Sequence, residues 1–297
     1  MREHGGYDPV RYEAVSRVGR VVTAAEVPEV LAATHEHITN FAVGFVKIEG
    51  EEDDAVPAGS GTLVTAGGRH AILTADHVLE ALPSSGEFGL VLPIARAEPL
   101  LNRYRLDAAN VQRVRVAKAS YDRNGPDLGL LVLGSPEVSK LGATKAFYNL
   151  NNRRDRMLSA PPAIELGGRF LVGMTAEWTS DLAPERGFTR VKAFRGLCGA
   201  GLLASERKTD THDYLHFEAK YNELYEGPQS YQGFSGGGLW QIRMKEEDGK
   251  PKLSEVLLSG AAFYESEIVS DIRTIYCHGR RSVYEFAVNA LAGTTAS

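Results

Sequence analysis

The sequence predicts a mainly β protein with two β units that lie side by side, as barrels or as sandwiches. Short apolar runs of strand type recur along most of the chain, and helical patterns are few. The 31 glycines outnumber the 13 prolines, a composition that favours turns and short strands. Residues 134–160 interrupt the β pattern and separate the two units.

The first clear pattern is a predicted helix over residues 26–38, in which Pro28 suits a position in the first turn. Side chains at helical spacing fall on one face: Val27, Leu31, Thr34 and Ile38. We therefore treat residues 1–38 as an N-terminal helical extension of the first β unit.

The first β unit is predicted over residues 39–140. Its strands are predicted at 41–48, 61–65, 71–75, 113–117 and 128–133. Gly67 and Gly68 suit a hairpin turn with positive φ. Residues 113–117 alternate, which is typical of a strand with one buried face, whereas 128–133 is a continuous apolar run that predicts burial on both faces.

The second β unit is predicted over residues 161–297. A connection over 141–160 precedes it, with a short helix near 137–148. The strands of this unit are predicted at 169–174, 189–194, 214–219, 238–242, 256–262 and 272–277. The extension and the connection are the surfaces on which we expect a protein partner.

Composition excludes several classes of protein. A chain of 297 residues has room for one large or two medium domains, and a net charge of −5 argues against binding nucleic acid through bulk positive charge. Cys198 and Cys277 cannot form a disulfide framework; free buried thiols are expected, with a single bridge as the alternative. Because no signal-like or membrane-spanning apolar run is seen, we expect a cytoplasmic protein without a membrane partner.

The most informative segment contains Ser235 among four glycines, at positions 233, 236, 237 and 238. Glycines let the main chain turn tightly and let a substrate approach it. Such a turn aims successive backbone N–H groups at one point, as a developing oxyanion requires. The alternative is a plain glycine-rich β-turn.

Two other side chains complete a chemical set with Ser235. His77 follows the end of an apolar strand, and Asp127 precedes the buried run at 128–133. Each alone is typical of a surface or turn residue. A serine nucleophile, however, needs a base, and the base needs a carboxylate to hold its tautomer. The order His, Asp, Ser places two members in the first β unit and one in the second, with a cleft between the units.

Three segments resemble the signature segments of trypsin-like (chymotrypsin-fold) serine proteases: Thr-Ala-Asp-His-Val at 74–78, Asp-Leu-Gly-Leu-Leu at 127–131 and Gly-Phe-Ser-Gly-Gly at 233–237. The Gly-Ser-Gly-Thr lead-in at 59–62 is similar to that of the bacterial HtrA-like branch. The resemblance covers about residues 40–280 and includes no PDZ domain. It implies a mainly β fold of two six-stranded barrels, with the site between them.

The resemblance also implies the roles of individual residues. His77 would act as general base and then acid, Asp127 as its orienting carboxylate, and Ser235 as the nucleophile. The backbone N–H groups of Gly233 and Ser235 would form the oxyanion hole. The implied activity is hydrolysis of peptide bonds in protein substrates through an acyl-enzyme, with no metal and no cofactor.

The resemblance places four residues around the substrate. Gln229, six positions before Ser235, falls near the floor of the pocket for the residue preceding the cut; its neutral side chain predicts no strong preference for Arg or Lys. Ala262 and Phe263 are expected to line the pocket and to pair with the substrate backbone. His278 would form another wall, with a packed histidine as the alternative.

Departures from the family pattern concern control. Asp76 replaces a small residue before the histidine and is expected to point away from it, and Asp107 is a weaker candidate for the orienting carboxylate. Phe234 stands where secreted members carry an Asp that pairs with a newly cut N-terminus. We therefore expect control by loop ordering, by the extension, or by an activating or inhibiting protein partner.

Two other classes remain open. Gly-Phe-Ser-Gly-Gly also fits the nucleophile elbow of α/β-hydrolases, with Asp271 and His278 downstream. The glycines that follow the motif disfavour the helix this fold needs by about 1 kcal/mol each. The other alternative is a catalytically silent trypsin-like scaffold that binds peptides.

Overall fold

The structure, a computed structural model, describes residues 27–49, 54–93, 103–159, 168–182, 191–193, 196–221 and 228–294. Within them the chain forms two large, mainly antiparallel β-sheets, a separate pair of short strands and a few helices. Most of the predicted extension and the ends of the strand predicted at 189–194 lie outside the described residues. The coarse prediction of a mainly β protein with two β units is confirmed.

The N-terminal helix, α1, spans Val27–Thr39. Thr34 and Ile38, two of the four residues on its predicted inner face, are fully buried. The Thr39 hydroxyl donates to the carbonyl of His35 (2.6 Å), and the main chain then turns directly into the first sheet. The side-chain spacing therefore sets which face of α1 meets the core.

Eight strands form the first sheet: β1 (Ala42–Glu49), β2 (Asp54–Ala66), β3 (Arg69–Thr74), β4 (Glu87–Val91), β5 (Arg103–Asp107), β6 (Val111–Ala117), β7 (Leu128–Leu133) and β8 (Tyr148–Asn149). Their order is β5-β4-β1-β2-β3-β7-β6, with β8 parallel to β2. The edge strands β5 and β6 are joined by one 3₁₀ turn, Ala108–Asn110. This short link keeps the edge strands β5 and β6 close together. The sheet curls round its apolar face.

The second sheet is a closed ring of six strands: β9 (Gly168–Met174), β12 (Gly196–Lys208), β13 (Asp213–Lys220), β14 (Gly238–Glu247), β15 (Lys250–Glu265) and β16 (Ile272–His278). The ring runs β12-β13-β16-β15-β14-β9. Two short strands, β10 (Ser180–Leu182) and β11 (Val191–Ala193), pair separately.

The prediction of two six-stranded barrels needs a correction for the first unit. Among the described strands, β5 and β6 make no ladder with each other, so this sheet is curled but open. Local hydrogen bonds engage the corner that joins them: the Ala108 N–H donates to Gly86 (2.8 Å), and the Asp107 carboxylate accepts from Ala109 (2.9 Å). These bonds turn the chain instead of extending a closing pair of strands.

Five short helical segments complete the described chain: α2 (Asp76–Ala81), α3 (Ser135–Gly142), α4 (Asn151–Ser159), a π-helical segment (Ser282–Ala287) and α5 (Val288–Ala292). The helix predicted near 137–148 corresponds to α3. The polar run that begins at Asn151 was expected only as part of a connection and instead forms α4. Among the described residues, every helix is too short or too polar to span a lipid bilayer.

Apolar clusters fill each sheet and the seam between the sheets. Inside the first sheet lie residues such as Phe45, Leu63, Ile72, Phe88 and Leu131. Inside the ring lie Leu171, Phe217, Phe234, Leu239 and Cys277, whose thiol is free and buried. A third cluster, which includes Trp240 and Tyr284, joins residues of both sheets. The seam is therefore part of the core, and a site built on it has a fixed frame.

Candidate functional site

The candidate site begins with a hydrogen-bonded pair, His77 and Asp127. Strands β3 and β7 pair with Thr74 opposite Gly129, so the chain just after β3 lies beside the chain just before β7. The Asp127 carboxylate accepts from the His77 ring through Oδ2 (2.5 Å from Nδ1) and from the His77 backbone N–H through Oδ1 (3.0 Å). Asp127 is only 3% exposed, whereas the His77 side chain is 26% exposed.

This geometry fixes the chemistry of the His77 ring. With Nδ1–H donated to the carboxylate, the neutral ring keeps its lone pair on Nε2. An imidazole held in this tautomer can take a proton at Nε2, and the buried carboxylate then stabilises the resulting charge. The sequence-predicted pair is therefore brought together, with one accessible side chain and one buried anchor.

The two other carboxylates weighed against Asp127 are engaged elsewhere. Asp76, adjacent to His77, is buried and accepts from Arg115 Nε (3.0 and 2.9 Å) and from the Ala119 N–H (2.9 Å). As expected from its position in the turn, it points away from the His77 ring. Asp107 caps the 3₁₀ turn at the end of β5. Asp127 is therefore the carboxylate that the structure pairs with His77.

Ser235 lies on a glycine-rich loop whose shape depends on two positive φ angles. Gly233 has φ +95° and Gly236 has φ +87°, a region that other residues rarely adopt. A Cβ on Gly236 would overlap the Ser60 carbonyl and the Thr74 hydroxyl, and one on Gly233 would lie 2.8 Å from the Met174 carbonyl. These glycines are therefore needed for conformation and for close approach.

The serine loop is fastened to the first sheet through Ser60. The Ser60 N–H donates to the Ser235 carbonyl (2.7 Å), and its buried hydroxyl donates to the Gly233 carbonyl (2.6 Å). That hydroxyl also accepts from the Met174 N–H (2.7 Å), and the Ser60 carbonyl accepts from the Thr74 hydroxyl (2.7 Å). Because Thr74 is three residues before His77, these bonds bring the loop to the chain that carries the histidine.

The backbone N–H groups of the loop fall into two sets. Four donate to intramolecular acceptors: Gln232 to the Ser230 hydroxyl, Phe234 to Tyr231, Gly236 to Ala262 and Gly237 to Phe234. Those of Gly233 and Ser235 have no acceptor among the residues that the structure describes. These are the two donors that the family resemblance implies for an oxyanion hole. In the described part of the chain, the Ser235 hydroxyl also makes no hydrogen bond to the His77 ring.

The predicted substrate-binding residues do not share one environment. Gln229 is exposed, and its carbonyl accepts from Arg273 Nη2 (2.6 Å). Ala262, Phe263 and His278 are buried, at 2%, 4% and 0% exposure. The backbone of Ala262 contacts the serine loop on both sides, accepting from Gly236 and donating to Gly237.

His278 has a contact that sequence reasoning missed. Its Nε2 accepts from the backbone N–H of Asp127 (2.9 Å), across the seam between the sheets. Burial lowers the pKa of His278 to about 3, and nearby His212 acts in the same direction, so the ring is neutral at neutral pH. No sequence signal marked this contact, because 151 residues separate the two partners.

Tyr121 was also missed, and its ring lies beside that of His77. Its ring centroid lies 6.1 Å from that of His77, and 68% of the residue is exposed. The backbone has φ +56°, which is strained for a tyrosine. The hydroxyl donates to the Glu80 carboxylate (2.6 Å), a bond that raises the pKa of Tyr121. An aromatic wall is thus held beside the candidate base.

The α/β-hydrolase alternative does not fit the observed strands. After Ser235 the chain enters β14 at Gly238 instead of a helix, so the strand–turn–helix elbow is not formed. Asp271 is exposed at the start of β16, and the described sheets are antiparallel apart from β8. Among the described residues, no group of His, Cys, Asp or Glu side chains is arranged to hold a metal ion.

Comparisons with known proteins do not identify the chain. No protein-family model matches it, and no curated protein matches it. The mainly β architecture with two sheets, one of them a ring, is compatible with a chymotrypsin-like fold.

Proposed function

We propose that this protein is a trypsin-like serine endopeptidase that hydrolyses protein substrates through an acyl-enzyme. The observation that carries the proposal is the His77–Asp127 pair, whose buried carboxylate accepts from both the ring and the backbone of the histidine. Hydrogen bonds through Ser60 and Thr74 link the chain before His77 to the loop that carries Ser235. In the described chain, two backbone N–H groups of this loop, at Gly233 and Ser235, have no intramolecular acceptor.

In the proposed reaction, the Ser235 hydroxyl oxygen forms a bond to the scissile carbonyl carbon as its proton passes to His77 Nε2. The carbonyl oxygen becomes an oxyanion, which accepts from the N–H groups of Gly233 and Ser235. His77 then donates its proton to the leaving amine, and the C–N bond breaks to leave an ester. Water, deprotonated by His77, hydrolyses that ester and restores the serine.

The proposal includes control without a newly cut N-terminus. Phe234, directly before the nucleophile, is 1% exposed and packs against Tyr231 with ring centroids 4.9 Å apart. Burial of this ring anchors the loop by apolar contact, where an acidic residue would need a positive partner. In this proposal, either ordering of the loop or binding of a protein partner controls the activity.

A silent scaffold that binds peptides is the second candidate. It is favoured by one observation: no hydrogen bond joins the Ser235 hydroxyl and the His77 ring in the described structure. Catalytic hydrogen bonds are often long before substrate binds, so the proposal does not depend on this bond in the resting protein.

Labelling with a fluorophosphonate, which reacts with activated serines, separates the two candidates. We expect labelling at Ser235, mapped by mass spectrometry, to be abolished in Ser235→Ala and to slow by on the order of 10⁴ in His77→Ala. Ser254→Ala is the matched control, because its exposed hydroxyl only donates to the Arg243 carbonyl. Absence of labelling in the wild-type protein would favour the scaffold.

A further inference from the structure

His278 lies on β16, the last strand of the closed second sheet, yet its imidazole contacts the first sheet. β16 ends at His278, and Asp127 immediately precedes β7. The hydrogen bond from the Asp127 N–H to His278 Nε2 (2.9 Å) therefore crosses from one sheet to the other. It reaches the main chain of the residue whose carboxylate holds His77.

The strands on both sides of β16 hold His278 in place. It pairs with Tyr214 of β13 and with Ala261 of β15. The side chain lies among aromatic rings whose centroids are 5.0 Å (Phe263), 5.3 Å (Tyr214) and 5.5 Å (His212) away. With a fixed backbone and a packed ring, Nε2 has little freedom to move away from Asp127.

Packing alone does not account for a histidine at this position. To accept at Nε2 the neutral ring carries its proton on Nδ1, and Nδ1 is buried without a partner among the described residues. A buried polar atom left unpaired destabilises the fold, and an apolar side chain of similar size would avoid this cost. What the histidine adds is an acceptor for the Asp127 N–H, itself a buried donor that needs one.

We propose that His278 is a positioning residue for the Asp127 carboxylate. By fixing the main chain of Asp127 from the second sheet, it keeps the two carboxylate oxygens aimed at the ring and the backbone N–H of His77. This inference rests on the proposed function, in which His77 is the general base and Asp127 is its orienting carboxylate. The titratable groups around the His278 imidazole are Asp127 from the first sheet and His212 and Tyr214 from the second sheet and the chain that leads into it.

The test uses two variants of the full chain. His278→Gln retains an acceptor near the position of Nε2, and His278→Met fills similar space without a nitrogen or oxygen acceptor. The first readout is the proton NMR resonance of the His77 Nδ1–H, identified by its loss in His77→Ala and its shift in Asp127→Asn. We expect this resonance to broaden or shift in His278→Met and to be retained in His278→Gln.

The second readout is the steady-state kinetics of peptide hydrolysis. A displaced carboxylate should lower kcat/KM by on the order of 10²-fold in His278→Met, mainly through kcat, because misplacement by about 1 Å costs this much. His278→Gln should restore most of the rate.

The outcomes separate the inference from the proposed function. A folded His278→Met variant with an unchanged resonance overturns the inference, whatever the activity. A wild-type protein that does not label at Ser235, but whose resonance depends on His278 as expected, overturns only the proposed function. If His278→Met does not fold, the folded His278→Gln variant decides: loss of the resonance there overturns the inference.

Discussion

The two sheets contribute to the candidate site in different ways. The first sheet supplies His77 and Asp127 as a pair that adjacent strands β3 and β7 bring together with two hydrogen bonds. The ring supplies Ser235 on a loop, and the loop is fastened to the first sheet through Ser60. The His77–Asp127 pair is thus assembled within one sheet, whereas the position of the serine depends on the seam between the two sheets.

This difference predicts which substitutions should affect activity and which should affect stability. A change in the pair should remove activity and leave most of the stability. A change at the seam should affect stability and the position of the serine together, because the same hydrogen bonds carry both.

The largest expected effect is on the pair itself. Asp127→Asn retains the shape but not the charge, so the His77 tautomer and its charge are no longer supported. We expect kcat/KM to fall by on the order of 10⁴-fold in a peptidase assay. Asp76→Asn is the matched control: this carboxylate is equally buried and adjacent to His77 but bonds Arg115, and the variant should remain active. Equal losses in the two variants would contradict the assignment of Asp127.

Burial of His278, which joins the pair to the second sheet, should make stability depend on pH. The pKa of His278 is about 3 in the folded protein, mainly because of burial, against 6.5 for an ordinary histidine. Between these values the unfolded chain binds the extra proton, so the free energy of unfolding falls as pH falls from 6.5 towards 3, by up to about 1.4 kcal/mol per pH unit.

Urea unfolding from pH 7 to pH 4, for the wild type and for His278→Gln, isolates this effect. The carboxylates titrate in both proteins, so the difference between the two curves reports His278. We expect that difference to change in favour of the variant as the pH falls. Parallel curves would show that His278 does not remain neutral in the fold.

At the seam, Gly236 tests close approach between the two sheets. Gly236→Ala adds positive-φ strain and a Cβ that overlaps the Ser60 carbonyl, and we expect a loss of about 3 kcal/mol in the free energy of unfolding. Gly249→Ala is the matched control, with φ +74° but nothing within 4 Å of the added Cβ, and should cost only about 1 kcal/mol. Equal losses in denaturant unfolding would argue against a close-packed seam at Gly236.

The smallest expected effect is from the Ser60 hydroxyl. Ser60→Ala leaves the Met174 N–H and the Gly233 carbonyl unpaired in a buried place, which should cost about 2 kcal/mol and slow the labelling of Ser235. Ser254→Ala, which removes an exposed hydroxyl, should change stability by less than about 0.5 kcal/mol. Loss of stability at Ser60 without slower labelling would mean that the serine loop keeps its position without this bond.

Local sequence patterns predicted much of the fold. The apolar run Leu128–Leu133 forms a fully buried strand, and Gly67 and Gly68 form the predicted turn with positive φ. Strand β12 was missed, since its first half, from Gly196, is glycine-rich and lacks a strand pattern. Closure of the sheets was predicted for both and is observed only for the second, because closure depends on how distant edges meet.

For the candidate site, the sequence by itself determined the residue types that chemistry requires: a histidine after a strand, an aspartate before a buried strand and a serine among glycines. The tertiary structure decided that Asp127, not Asp76, bonds the His77 ring. It also decided that Ser60 holds the serine loop and that His278 accepts from Asp127. The physical reason is that propensity and spacing act over a few residues, whereas these hydrogen bonds join groups brought together only when the two sheets pack.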